Sequence, residues 1–277
     1  MIQINSLTSL MKILTGVLWN SLKKVVPLAI GKYLCMGSLF RKEITGFFSN
    51  ITGYLVIIVF LLVNSLLLWV IPGQYNIMDL GYATLSPLFE ISPWVFLFLV
   101  PAITMRAFAE EKRQGTLELL LTRPLSELQI IFAKYFAALV LVILSLLPTL
   151  IFYFSVYLLG NPQGNLDTGG TWGSYLGLFF LAAIYVAIGI FSSSLTDNQV
   201  VAFIIATIQC LIMYMGFDVI ASLPIFVGYE HWVAYLGIHE HYQSISRGIV
   251  DTRDVVYFIT VAAFFILLTR EVIGKGK

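Results

Sequence analysis

Six stretches of this chain are apolar enough, and long enough, to cross a lipid bilayer as helices, and few folds remain open to a sequence so built. A hydrocarbon core about 30 Å thick takes roughly 20 helical residues to cross, each rising about 1.5 Å. The stretches run approximately from Ile51 to Ile71, Ile91 to Phe108, Phe136 to Leu158, Gly173 to Ser194, Val200 to Leu223 and Val255 to Val272. The second is short and contains Pro101, but Trp94 at one edge and Arg106 at the other suit anchors at two interfaces. Composition agrees, with 59% hydrophobic and 11% charged residues, where soluble domains carry about 25% charged. The expected fold is an all-α membrane protein of six transmembrane helices spanning 51–272.

Orientation follows from the basic residues, which accumulate on the cytoplasmic side. Between the second and third stretches stand Arg106, Lys112, Arg113 and Arg123, with Lys134 at the membrane entrance. The segments from Pro72 to Glu90 and from Gly160 to Trp172 contain no Lys or Arg, and the tail 273–277 carries Lys275 and Lys277. Both termini are therefore expected in the cytoplasm, the protein lying in a bacterial inner membrane. Arg247 and Arg253 fall outside, in the long outer loop 218–253, where charge matters less to translocation. Nothing in this distribution points to a nucleic-acid partner. The two cysteines, Cys35 and Cys210, read as packing residues, too few for a disulfide framework or a cysteine-rich metal site.

Residues 1–35 differ from the rest. They are moderately apolar, with Lys12, Lys23, Lys24 and Lys32 scattered through them and Pro27 interrupting, and no apolar core leads to a cleavage site. They read as an extension ahead of a second plausible start at Met36. Residues 36–50 then form an amphipathic helix, with Leu39, Phe40, Ile44, Phe47 and Phe48 toward lipid and Arg41, Lys42 and Glu43 toward water.

Charge is concentrated in 106–128. Arg106 and Glu110 are four residues apart and can pair on one helical face, while Gly115 marks an end or bend. Thr116 can cap a second short helix carrying Leu117, Leu119, Leu120 and Leu121, with Glu118 in its first turn. Arg123-Pro124 stops that helix, and Ser126 with Gln129 forms a capping-box pattern that starts the next. Two readings of the segment stand level on these grounds: a surface that docks into a soluble partner, and a basic loop that only fixes topology.

The run from Glu110 to Pro124, EEKRQGTLELLLTRP, resembles the signature of type-2 ABC transporter permeases, whose membrane chains are driven by separate ATPase subunits. With the segments 160–169 (GNPQGNLDTG) and 192–199 (SSSLTDNQ), the chain is most similar to the gliding-motility-associated permease subunit of Bacteroidetes, over about Ser38 to Val272. The resemblance implies an ABC-2 type bundle with Arg106, Glu110, Glu111, Lys112, Arg113, Gly115, Thr116, Glu118 and Arg123 as the ATPase-coupling interface. Gly37 to Asn50 would be the connecting helix on the membrane. It also implies cytosolic ABC ATPase subunits that bind the ATP and Mg, and a second permease chain, in a heteromer or, as the alternative, a homodimer. This chain would itself bind no cofactor and catalyse nothing.

Other chemistry finds less support. Gly31-Lys32 lacks the earlier glycine of a phosphate loop. His231, His239 and His241 cluster with Glu230 and Glu240, but the spacing misses the zinc-protease pattern, so they read as polar interfacial residues and no metal site is expected. Asn64 and Gln209 lie near mid-membrane, where they can line a path or bond between helices. A secondary carrier would have ionisable groups well inside its spans, whereas Glu90, Asp197, Asp218 and Asp254 fall near span ends. Asp197 is expected to cap the fifth span, and Asp251 or Thr252 the sixth. The aromatic outer loop suits short helices at the outer interface, including Trp232 and Tyr242. The alternative functions are a membrane anchor that translocates nothing and, less well supported, a carrier.

Overall fold

A computed structural model describes residues 36–121, 125–226, 228–248 and 250–274. The extension 1–35, Arg123 and residues 275–277 of the tail lie outside them. Helix α1 occupies 36–49, and α2 (Ile51–Ser65) ends in a π-helical turn, Leu66–Val70. Next come α3 (Ser86–Thr104), α4 (Arg106–Arg113) and α5 (Leu117–Leu121). Helix α6 (Glu127–Leu146) joins α7 (Leu150–Leu159) through a tight turn at Pro148. Then follow α8 (Thr168–Leu195), α9 (Gln199–Leu211), a π-helical turn at Ile212–Gly216, and α10 (Phe217–Ala221). The short α11 (Glu230–Ala234) and α12 (Ile238–Ser246) precede α13 (Thr252–Gly274).

Six of the resulting continuous helices are long and apolar enough to span a membrane. The second and third overrun their expected limits the most. The second continues from Ser86 to Arg113, so α4 is the protruding end of a span rather than a separate helix, and the third runs from Glu127 to Leu159. The polar ends are helical because their caps are well made. The Ser126 hydroxyl accepts from Gln129 N–H while Gln129 Oε1 accepts from Ser126 N–H, the expected capping box. Asp167 accepts from Gly170 N–H, drawing the end of the Gly-rich loop into α8. The cap of α9 is Asn198, whose side chain accepts from Val200 N–H, and not the expected Asp197. Extended backbone at Asn198 puts its carbonyl oxygen within reach of the free N–H groups. Asp251 takes the same role at α13, accepting from Arg253 N–H.

Helix α8 is the axis of the bundle. Over its apolar stretch 78% of residues are buried, against 28% for α2 and 22% for the α9–α10 span. Small residues make this burial close-packed, since apolar lipid supplies little drive for helices to associate and contact depends on fit. A Cβ added at Gly189 would stand 1.9 Å from Thr104 Oγ1 and 2.8 Å from Thr104 Cβ, so only glycine lets α3 approach there. At the other end of α8, Gly173 meets Gly248, and Gly177 meets Tyr242 and Ile245 of α12.

That second contact changes the expected picture of the outer loop. Helix α12 packs against the bundle, burying Ile238, His241, Tyr242 and Ile245. The Tyr242 hydroxyl donates to the Phe89 carbonyl on α3. His241, expected to be an interfacial loop residue, is only 2% exposed, because its ring lies against Asp254 and Tyr257 of α13 and against Tyr235.

Gly189→Ala should destabilise the bundle by about 1–3 kcal/mol, the usual cost of overpacking. The same change in a Thr104→Gly background should cost clearly less, as read from thermal unfolding of the two pairs in detergent. Equal costs would mean that the α3–α8 contact is not what forbids the methyl group.

Candidate functional site

The charged segment between the second and third spans forms one end of the bundle, together with α1 and the last turn of α8. Its tip is set by backbone hydrogen bonding. Gly115 adopts φ +67°, Thr116 N–H donates to Glu111 O, and Gly115 N–H donates to Lys112 O. This paired closure of a helix end is the Schellman arrangement, and it turns the chain sharply from α4 into α5. The Thr116 hydroxyl donates back to Glu111 O across 3.4 Å, so it serves the end of α4. Arg113, Glu118 and Leu119 are exposed on the tip, Leu119 by 68%.

Behind the tip lies a buried ion triad. Lys134, on the second turn of α6, places its ammonium 2.9 Å from Glu111 Oε1 on α4 and 3.0 Å from Glu43 Oε1 on α1. The Lys134 side chain is 3% exposed and also stands 5.2 Å from the centre of the Phe108 ring. Charges so desolvated fix geometry more than they add net stability, since their attraction mostly repays the loss of water. One cation thereby ties three elements: α1, the protruding end of the second span and the start of the third. Glu43 is thus turned inward, not toward water as its place in the amphipathic pattern suggests, while Arg41 and Lys42 remain exposed. Leu39 is buried and Phe40, Phe47 and Phe48 pack against the protein core, so the apolar face of α1 rests on the bundle.

A second tie runs to α8. At Met105 the helix changes course from α3 to α4, and the Ser193 hydroxyl bridges the break. It accepts from Phe108 N–H at 2.9 Å and Ala109 N–H at 3.0 Å, and donates to Met105 O at 2.9 Å. A serine on another helix does here what an N-cap residue does within its own chain. Next to it, the Lys112 ammonium donates to the Ser194 carbonyl.

Of the residues singled out in the sequence, Arg106 to Glu118 therefore gather at one end. A cavity of about 390 Å³ opens there between α1, α4 and α6, with Lys42, Asn50, Arg106, Glu110 and Gln114 in its wall. Glu110 accepts from Gln114 Nε2. Arg123 lies outside the described residues. Asn64 and Gln209 are each engaged between helices: Ser92 Oγ reaches Asn64 Oδ1 at 3.5 Å, and Ser192 Oγ, beside Ser193, donates to Gln209 Oε1 at 2.9 Å. Sequence reading missed Glu43, Lys134 and Ser193 as members of the site. The available signal was Lys134 itself, a lysine within a continuous apolar helix, which calls for a buried partner. Among the described residues no three His, Cys, Asp or Glu side chains are grouped to hold a metal ion.

Lys134→Met should destabilise the protein by about 3 kcal/mol, because two carboxylates would be left facing each other without their cation. Adding Glu43→Gln and Glu111→Gln should restore most of the loss in thermal unfolding. Ser193→Ala, by stranding two buried N–H groups, should cost about 1–3 kcal/mol and quicken hydrogen exchange across Arg106–Arg113 more than elsewhere.

The family model described as ABC-2 family transporter protein matches residues 71–237, more than half of the chain, from the end of α2 through α11. No curated protein matches the chain. Six apolar spans, no long soluble domain among the described residues and this match agree: the chain belongs to the ABC-2 family of membrane transporter proteins.

Proposed function

We propose that this ABC-2 permease is the gliding-motility-associated subunit of an ABC-type complex in the bacterial inner membrane. It converts ATP hydrolysis by a separate cytosolic subunit into substrate export or conformational work on the membrane. The α4–α5 segment is the coupling interface, formed by Arg106, Glu110, Glu111, Lys112, Arg113, Gly115, Thr116 and Glu118, with Arg123 following it. Helix α1 is the connecting helix on the membrane, and both termini face the cytoplasm. The ATPase holds ATP and Mg, and a second permease chain, different from this one, completes the pathway.

The observation that carries this reading is the combination of an exposed tip and a fixed root. Leu119 stands 68% exposed on a tip where Glu118 and Arg113 are exposed too, an apolar residue among charges of the kind that seats in a protein partner. The same segment is pinned to α1, α6 and α8 through Lys134 and Ser193. A push on the tip is therefore delivered to α1 and to the spans that hold α6 and α8. A loop that only fixed topology would have no need of such ties. The gliding-motility assignment rests on the sequence resemblance over Ser38 to Val272. The inward orientation rests on the basic residues of 106–134.

Affinity purification of the chain from its host in mild detergent should recover an ATP-binding subunit, identified by mass spectrometry. Leu119→Asp with Arg113→Glu should abolish that recovery while leaving the amount of membrane-inserted chain unchanged. Recovery of the chain with envelope proteins but no ATP-binding subunit, under conditions that keep a known ABC complex intact, would favour a membrane anchor instead.

A further inference from the structure

Between α6, α8 and α13 an apolar groove of about 480 Å³ runs along the side of the bundle. Small residues keep it open: Ala183 of α8 and Ala262 and Ala263 of α13 stand where larger side chains would fill it. Rings make much of the remaining wall, among them the stacked Phe132 and Phe136 of α6. All three helices belong to membrane spans, so the groove faces hydrocarbon rather than water.

Its dimensions say what fits. On α6 the wall runs from Leu128 to Leu139, which is about 16 Å of helix at about 1.5 Å per residue. One leaflet of a hydrocarbon core about 30 Å thick has nearly that depth. At the end nearer the bilayer centre, Phe180 and Phe258 stack with ring centres 5.7 Å apart. Spread over that length, the volume gives a channel about 6 Å wide, whereas a helix with its side chains is about 10–12 Å across. A single hydrocarbon chain fits such a channel, and a helix of a neighbouring protein does not.

The other end of the groove is charged. The face of α13 that lines it through Ile266 and Leu267 continues one turn on to Arg270, and Glu127 begins α6 alongside. The Arg270 side chain is 49% exposed, and its Nε stands 3.8 Å from Glu127 Oε2, beyond direct hydrogen-bond distance. A pair held so loosely leaves the guanidinium fork for a phosphate, which it matches bidentately. The adjacent carboxylate suits an ammonium that can donate N–H, and it disfavours a headgroup with no positive charge. A choline headgroup has no N–H to donate and is suited to an aromatic cage instead.

We propose that α6, α8 and α13 form a binding site for one phosphatidylethanolamine of the leaflet at the basic end. One acyl chain lies in the groove, the phosphate sits on Arg270 and the ammonium faces Glu127. The lipid thereby joins the start of the third span to the end of the sixth. This inference needs neither an ATPase nor a second permease chain, and it is read on the chain alone.

The test is native mass spectrometry of the full chain in detergent with palmitoyl-oleoyl phosphatidylethanolamine or the matching phosphatidylglycerol added, and thermal unfolding of the same samples. One phosphatidylethanolamine should be retained and should raise the unfolding temperature, and phosphatidylglycerol should be retained about tenfold less, as for loss of one charge-assisted hydrogen bond. Glycerophosphoethanolamine, a head without chains, should not displace the lipid. Arg270→Gln should lower retention by about tenfold on the same ground. Ala263→Trp, at an exposed position, should block the groove and abolish retention, with Ala263→Leu as the milder filling if the tryptophan variant does not fold in lipid-free detergent. Glu127→Gln should remove the preference between the two lipids. Val59→Trp, in the groove between α2 and α3, should leave retention unchanged. The proposal is overturned by equal retention of both lipids, by displacement with the chainless head, or by retention unchanged in Arg270→Gln or in the folded Ala263 variant. A dimer that the Ala263 variant dissociates, with no lipid retained, would overturn it too and give the groove to a second copy of the chain.

Discussion

Close approach along α8 is the constraint on which the rest of the bundle depends. In hydrocarbon, apolar side chains gain little by leaving lipid for protein, so helices hold together through fit and hydrogen bonds. Gly189 supplies the fit against α3, and Gly173 and Gly177 supply it against α12. Because α3 lies so near, the Ser193 hydroxyl can reach the backbone break at Met105, and because α12 lies so near, Tyr242 can reach the Phe89 carbonyl. The polar contacts at both ends are thus consequences of missing side chains between them.

The two ends use this axis differently. At the basic end, ionic contacts join elements distant in sequence, Glu43 being 91 residues from Lys134. At the opposite end, His241 and Asp254 are 13 residues apart and join a short helix to the span that follows it. Each end carries a buried carboxylate oxygen without a partner, on Glu111 and on Asp254. Such atoms cost free energy wherever they occur, and here both belong to the ionic clusters that fasten α1, α4, α6, α12 and α13.

Much of this was legible in the sequence. The number of spans followed from stretches such as Val255 to Val272, since the length of a hydrocarbon crossing leaves little freedom. The turn at Gly115 and the capping box at Ser126 were legible because both are local, needing only residues within five positions of one another. The course of α4 as a continuation of the second span was not, because the helix outlasts its apolar residues. Nor were the partners of Lys134 or the burial of His241. Amphipathic patterning assigns Glu43 to water on the evidence of its neighbours Arg41 and Lys42, and only the three-dimensional meeting of α1 with α6 reverses that. The sequence placed Asp254 correctly near a span end, but proximity to an end does not mean exposure when α12 folds over it.

The Ser193 bridge has a mechanical consequence. Two N–H donors and one carbonyl of the α3–α4 break share a single hydroxyl, and Gly189 locks Thr104 one turn away. Helices α3, α4 and α8 therefore turn as one stiff crank, because slip between them would strand buried polar groups. Compliance must reside where the ladder of helical bonds is already irregular: the π-helical turns at Leu66–Val70 and Ile212–Gly216, and the tight turn at Pro148. These three irregularities lie in the helices flanking the crank, so a load applied at its basic end bends the neighbours before it deforms the crank itself.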